Sequence, residues 1–413
     1  MSKKIIDTIR LLSAEQVEAA NSGHPGLPLG AAPIAYTLYA KAMKYSPNNP
    51  KWINRDRFVL SAGHGSALLY SVLHLFSSGV SQDDLKAFRQ SGSRTPGHPE
   101  MDITAGVDIS TGPLGQGIAN AVGFALAEAK LAQKFNQDDF KPIDHYTYVL
   151  HGDGCLMEGV AYEAASLAGH LGLRKLIMLY DSNNITIEGD TEIALSEDIR
   201  GRFESMGWDY FSVEDGNDVE AIAHAVEIAK TTDKPSLIEV KTKIGYGAKS
   251  VEGTAKAHGA PLGEKGMQEL YQFLGISDRE PFHVEESVYV ELQELRTSLN
   301  AEEAAWHERM KEYRAKYPQL GAEFDAWTKN AEDIEISMDY VPAATRVAGG
   351  VALNKVFEKM PNLVGGSADL APTNGTELKT SDYISKGHFL GANIHFGVRE
   401  HGMGAIVNGM LAH

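Results

Sequence analysis

Two polar clusters carry the clearest chemistry in the chain. The first, His151-Gly152-Asp153-Gly154, follows the β-branched and aromatic run Tyr146 to Leu150. The second, Asp181-Ser182-Asn183-Asn184-Ile185, follows the apolar run Leu176 to Tyr180. Glycines at 152 and 154 let the backbone approach a phosphate closely, and a helix opening there offers free N–H groups and positive potential. Asp153 beside such a phosphate is unfavourable unless a cation lies between them. Carboxylate, amide and backbone carbonyl oxygens at these two strand ends are hard ligands, suited to Mg²⁺ or Ca²⁺ bridging a diphosphate.

Four histidines add proton chemistry. His24, His64, His98 and His258 each sit in a loop rich in Gly or Pro. A lone loop histidine is usually structural or solvated, but four are better explained by one polar pocket. Imidazoles can lend positive charge to phosphate and exchange protons near neutral pH. Glu400, in Arg399-Glu400-His401, precedes the small and apolar stretch Gly402 to Ile406, which predicts a buried carboxyl group rather than a surface ion pair. Arg346 is the bidentate type of phosphate ligand.

These groups need a scaffold. Short apolar runs, with Leu237 to Val240 as a third, alternate with helical periodicity, which predicts an α/β fold with parallel sheet covered by helices on both faces. In such sheets ligands sit at the carboxyl ends of strands, where both polar clusters fall. Residues 264–335 turn rich in Glu, Lys, Gln and Ala and read as long surface helices and a linker. A second α/β pattern is expected from Tyr340, with a helix over Ala343 to Glu358 and a strand at Leu363-Val364. It breaks off at His413, so the expectation is a truncated second domain and a fragment that alone is inactive or folds poorly.

Composition narrows the class. At 413 residues two domains are the natural division. The net charge of −17 argues against non-specific nucleic-acid binding and requires a local positive site for any phosphorylated ligand. No run approaches the length of a membrane span. Cys155 is the one cysteine, so a reducing, cytoplasmic setting is expected, with the thiol a small buried residue rather than a nucleophile.

The Gly-Asp-Gly turn paired with an Asn-bearing strand end resembles the thiamine diphosphate signature. Six further stretches are similar to the transketolase family and stand in its order: Ser22 to Gly26, Ser61 to Ser66, Pro96 to Glu100, Gly112 to Gly117, His258 to Leu262 and Arg399 to Gly404. The resemblance implies a thiamine diphosphate-binding fold, with a pyrophosphate domain and trailing linker helices over 1–320 and the start of a pyrimidine domain over 321–413. It implies transfer of a two-carbon ketol unit from a ketose phosphate to an aldose phosphate, with thiamine diphosphate and Mg²⁺ (or Ca²⁺ or Mn²⁺). It also implies a homodimer with active sites at the subunit interface, and neither nucleic acid nor membrane as partner.

By the same resemblance His24 and His258 move protons and help hold cofactor and sugar, His64 lies against the diphosphate, and His98 contacts the donor's hydroxyls. Gly112 offers a backbone carbonyl to the aminopyrimidine, and Leu114 an apolar contact. Asp153, Asn183 and the Ile185 carbonyl hold the metal ion, and Gly154 lies at the diphosphate turn. Glu158 links two sites across the interface, and Glu400 activates the aminopyrimidine of the neighbouring subunit. Arg346 and Thr373 take the substrate phosphate, with Thr373 standing where the family commonly has Ser. Dihydroxyacetone synthase is the nearest alternative. The Gly-Pro-Leu-Gly-Gln-Gly and His-Gly-Ala-Pro-Leu stretches fit 1-deoxyxylulose-5-phosphate synthase poorly, and the full histidine set speaks against a non-catalytic binder.

Overall fold

In a computed structural model, residues 2–276, 279–329, 333–339 and 342–413 are described. Five apolar segments pair side by side: β1 (Arg57–Leu60), β2 (Thr147–Gly152), β3 (Leu176–Ser182), β4 (Asp209–Val213) and β5 (Ser236–Lys241). Their order is β1-β2-β3-β5-β4, and every pairing is parallel. Every residue of β1 and of β3 is buried, whichever face it points to, so both faces of the sheet are covered. Helices Gly26–Thr37 and Val219–Thr231 pack together against β3, β4 and β5, and helix Gln116–Phe135 packs against β1, β2 and β3. Each fully buried Leu or Ile adds about 1.5–3 kcal/mol, so burial of Leu150, Ile177 and Leu179 outweighs the strands' modest intrinsic propensity.

The three expected strands form, each extended by one or two polar residues at its carboxyl end. β1 and β4 are additional. β1 is only four residues long, and β4 is a half-exposed edge strand whose apolar run is broken by Asp209 and Ser212. Neither presents the continuous apolar signature of a central strand.

Residues 264–335 form helices Gly263–Leu274, Glu286–Lys316 and Pro318–Trp327. The expectation of a surface linker is corrected here. Trp306, Met310 and Tyr313 are buried together with Trp52, Phe135 and Ile143. Trp306 Nε1 donates to Pro142 O at 3.0 Å, and Phe324 meets Phe135 edge-on at 5.2 Å between ring centroids. Helix Pro318–Trp327 runs across the 320/321 division expected from the sequence. The polar composition reflects the outer face of these helices and hides a narrow apolar stripe at helical spacing, as at Trp306, Met310 and Tyr313.

Tyr340, where the second pattern is expected to begin, lies outside the described residues. The next helix is Thr345–Lys359, followed by β6 (Gly365–Ser367) and β7 (Asn393–His395), a parallel pair. The strand expected at Leu363-Val364 thus begins at Gly365, and a Cβ at Gly366 would overlap Ile394 O of the paired strand. Helix Glu400–Ala412 lies on helix Gln116–Phe135, where Asn120 Nδ2 donates to Ala405 O at 2.8 Å and Ile406 is fully buried. A Cβ at Gly409 would overlap Asn120 O, so the two backbones meet closely enough to need glycine. Among the described residues, no helix is long and apolar enough to cross a membrane.

Candidate active site

A cleft of about 270 Å³ opens where the carboxyl ends of β1, β2, β3 and β5 meet. Each strand hands one wall to it: Ala62 and His64 follow β1, Asp153 and Gly154 follow β2, Asn183 and Ile185 follow β3, and Ile244 follows β5. His24, Leu27, Gly112, Leu114 and His258 close it from the loops. A Cβ at Gly26 would stand 2.5 Å from Ala257 O and from Ile244 Cγ1. Only glycine lets the loop before His258 come that near, which sets His258 beside His24.

The three imidazoles form one cluster. His64 and His258 stack at 5.0 Å between centroids, and His24 meets them edge-on at 5.1 and 5.7 Å. Burial drives the pKa of His24 down to about 4, helped by His258 and by the Arg89 guanidinium. Burial, then His258 and His24, drives His64 down to about 3. Burial lowers His258 as well. All three are neutral at pH 7, each with one N–H donor and one acceptor nitrogen. His258 Nδ1 is buried without a partner, as a group awaiting a ligand would be.

Across the cleft Asp153 is 3% exposed. Its Oδ1 accepts from the Tyr180 hydroxyl, while Oδ2 is buried with no partner. Burial pushes this carboxyl up, against the hydrogen bond from Tyr180. Asp181, fully buried behind it, is pushed up to about 7 by burial, with the nearby Asp153 charge acting in the same direction. Asn183 Nδ2 donates to Asp181 Oδ2 at 2.8 Å.

Two buried carboxylates, one with an orphaned oxygen, fit a divalent cation that would relieve both. Among the described residues no three His, Cys, Asp or Glu side chains are grouped to hold a metal. A cation here must therefore draw on Asp153, the Asn183 amide, the Ile185 carbonyl and oxygens of a ligand, a hard-oxygen set. The helix opening at Asp153 ends at Met157 and a new one starts at Gly159, so the turn offers a short stretch of N–H groups rather than a long helix dipole.

His24, His64, His258, Gly112, Leu114, Asp153, Gly154, Asn183 and Ile185 thus share one cleft. His98 stands exposed at its rim, its ring 3.6 Å from where a Cβ on Gly112 would be. Glu158 is exposed beside Gly115. Arg346 is exposed on helix Thr345–Lys359, and Thr373 Oγ1 donates to Leu370 O at 3.0 Å; neither lines the cleft. Glu400 corrects an expectation: it is exposed, not buried, at the start of its helix. The small residues after it bury against helices Gln116–Phe135 and Gly159–Leu171, while the Glu400 side chain stays in the open.

Several groups support the site without a role assigned from the sequence. Arg89 Nη1 donates to Ser22 Oγ at 2.9 Å, and Arg89 Nη2 stands 3.5 Å from His24 Nδ1. Asp181, Tyr180 and Thr242 support the cation side; the carboxyl ends of β3 and β5 were the available signal for them. Leu27, Thr186 and Ile187 complete the lining without any sequence signal. Cys155 is fully buried with its thiol pushed up by burial, in keeping with a packing role.

A parallel α/β sheet with paired acidic and amide groups at adjacent strand ends, facing neutral histidines, defines a cofactor-phosphate-binding protein. Residues 1–332 match the family profile described as transketolase, thiamine diphosphate binding domain, and residues 341–413 match transketolase, pyrimidine binding domain. The chain is 52% identical to a transketolase of Nostoc sp., over 99% of this chain and 62% of that protein. It is 48% identical to the transketolase of Bacillus subtilis, over 100% of this chain and 63% of that one. Its fold superposes on transketolase from Leishmania mexicana with a TM-score of 0.95 at 44% identity, and on a Pichia stipitis transketolase complex with sedoheptulose-7-phosphate with 0.93 at 45%. Each of these two alignments covers all of this chain and 63% of the other. The chain belongs to the transketolase family. It spans a little under two thirds of the length of these relatives.

Proposed function

We propose that this chain carries the thiamine diphosphate site of a transketolase, which transfers a two-carbon ketol unit from a ketose phosphate such as xylulose 5-phosphate to an aldose phosphate such as ribose 5-phosphate, in the pentose phosphate pathway. The observation that carries the reading is the single cleft in which Asp153, Asn183 and Ile185 face His24, His64 and His258. The Pichia stipitis relatives are described in complex with fructose-6-phosphate, xylulose-5-phosphate and sedoheptulose-7-phosphate, which supports sugar phosphates as substrates. Thiamine diphosphate, when bound, supplies the electron sink for the chemistry.

The chain's own groups divide the remaining work. Asp153, Asn183 and the Ile185 carbonyl hold Mg²⁺ (or Ca²⁺ or Mn²⁺), and Gly154 leaves room for the diphosphate. His64, neutral and buried, donates to a phosphate oxygen. His24 and His258 hold and pass protons at sugar oxygens, and His98 at the rim orients the donor's hydroxyls. The Gly112 carbonyl and Leu114 position the aminopyrimidine. Arg346 and Thr373 receive the substrate phosphate.

An exposed Glu400 at the start of a helix is suited to reach a neighbouring subunit's aminopyrimidine, and an exposed Glu158 to a subunit contact; both support a homodimer. The packing of Phe324 and Trp327 on Phe135 supports a division between the two domains after Trp327 rather than at 320. A cytoplasmic location agrees with the lone buried cysteine.

The test is a coupled ketol-transfer assay on the product of the full reading frame, with xylulose 5-phosphate and ribose 5-phosphate, with and without thiamine diphosphate and Mg²⁺. Activity that needs both and collapses in Glu400→Ala is the expected result. Turnover with formaldehyde but not ribose 5-phosphate would instead assign a dihydroxyacetone synthase.

A further inference from the structure

Asn183 enters the cleft with its carboxamide held at both ends. Nδ2 donates to Asp181 Oδ2 at 2.8 Å, and Oδ1 accepts from Ile185 N at 3.0 Å. Asp181 is itself fixed. It is fully buried near the end of β3, and its other oxygen accepts from the hydroxyl of Thr242, the residue directly after β5. The parallel register, with Asp181 opposite Val240 and Ser182 opposite Lys241, brings that hydroxyl to it.

A carboxamide has two ends of nearly equal shape and opposite chemistry, and only the oxygen can ligate a cation. Both oxygens of Asp181 act as acceptors, Oδ1 from the Thr242 hydroxyl and Oδ2 from Asn183 Nδ2. The Asp181 side chain thus takes the NH₂ end of Asn183 and turns Oδ1 the other way, toward Ile185 N. Oδ1 has two lone pairs, so the bond from Ile185 N leaves one free.

We propose that Asp181, held by Thr242, is a positioning residue that orients the Asn183 carboxamide so that its oxygen faces a divalent cation beside Asp153. Asp181 is not itself a ligand. The inference rests on the cation reading given under Proposed function. It has a consequence peculiar to orientation: a carboxylate at 183 has two equivalent oxygens and needs no such guide.

The experiment measures Mn²⁺ binding in the presence of thiamine diphosphate, from the paramagnetic resonance signal of free Mn²⁺, on the product of the full reading frame. Asp181→Asn, whose side chain both donates and accepts, is expected to raise the Mn²⁺ dissociation constant roughly tenfold to a hundredfold, as loss of a group behind a metal ligand does. In an Asn183→Asp background the same change is expected to raise it no further. Thr242→Val is expected to weaken binding and Thr242→Ser to retain it. Wild-type affinity in Asp181→Asn overturns the inference; so does an equal loss in both backgrounds, which would make Asp181 a source of charge only. If Asn183→Asp binds no Mn²⁺, the Thr242 pair decides, and equal behaviour of Val and Ser overturns the inference. A wild-type protein that binds no Mn²⁺ overturns the cation reading, and the inference with it.

Discussion

Asp153→Asn is expected to move stability in opposite directions with and without ligand. Asp153 is 3% exposed and one of its oxygens has no partner. Leaving such a buried group unsatisfied costs about 1–3 kcal/mol, more when it is charged. The amide is nearly isosteric, can still accept from Tyr180 and carries no charge, so without cofactor the variant should be more stable at pH 8, though by less than that amount because its NH₂ group is left unpartnered in turn. The pH dependence follows from the raised carboxyl pKa. An acid whose folded pKa is raised contributes stability that is present below its unfolded value of 3.8 and is lost as pH rises through the folded value. The gap between variant and wild type should therefore be full at pH 8 and narrow toward pH 4. With cofactor and Mg²⁺ at a hundred times the dissociation constant, the wild type gains about 2.7 kcal/mol by mass action, and the variant should gain almost none. Urea unfolding at several pH values, with and without thiamine diphosphate and Mg²⁺, reads both effects. A variant less stable than wild type in the absence of ligand, or one that keeps the full Mg²⁺-dependent gain, would refute the reasoning.

Two further perturbations test the neighbouring parts of the structure. Gly409→Ala places a methyl group where Asn120 O already stands, and should cost about 1–3 kcal/mol and release helix Glu400–Ala412 from helix Gln116–Phe135; hydrogen exchange over 400–412 should quicken while β2 and β3 stay protected, and unchanged exchange would contradict the crossing. His64→Gln removes a histidine whose folded pKa of about 3 lies below the unfolded value of 6.5. Stability tied to that histidine is present above pH 6.5 and lost as pH falls toward the folded value, so between pH 6.5 and 4 the wild type should lose about 3 kcal/mol that the variant keeps, read from parallel acid titrations by circular dichroism.

The chemistry was more legible than the geometry. Asp153, Asn183 and the four histidines are visible because their residue types stand out in Gly- and Pro-rich turns, where local constraints and side-chain chemistry are both written in a few adjacent letters. β2, β3 and β5 are visible because a fully buried strand must be apolar throughout. β4 is not, because an edge strand needs only one apolar face. Helix Glu286–Lys316 misleads for the related reason that its many exposed positions dominate its composition while Trp306 and Met310 do the packing.

By itself, then, the sequence determined the α/β class, the strand ends that carry the ligating groups, and the kind of ligand they suit. Only the tertiary structure decided which of the named residues meet. It gathered His24, His64 and His258 within 6 Å of one another from three distant loops. It left Glu400, Glu158, Arg346 and Thr373 outside that cleft, and it brought Thr242 to Asp181. The physical reason is that residue chemistry is local, whereas proximity depends on strand order and on how closely two backbones can approach, as at Gly26, and neither is encoded in any single stretch of chain.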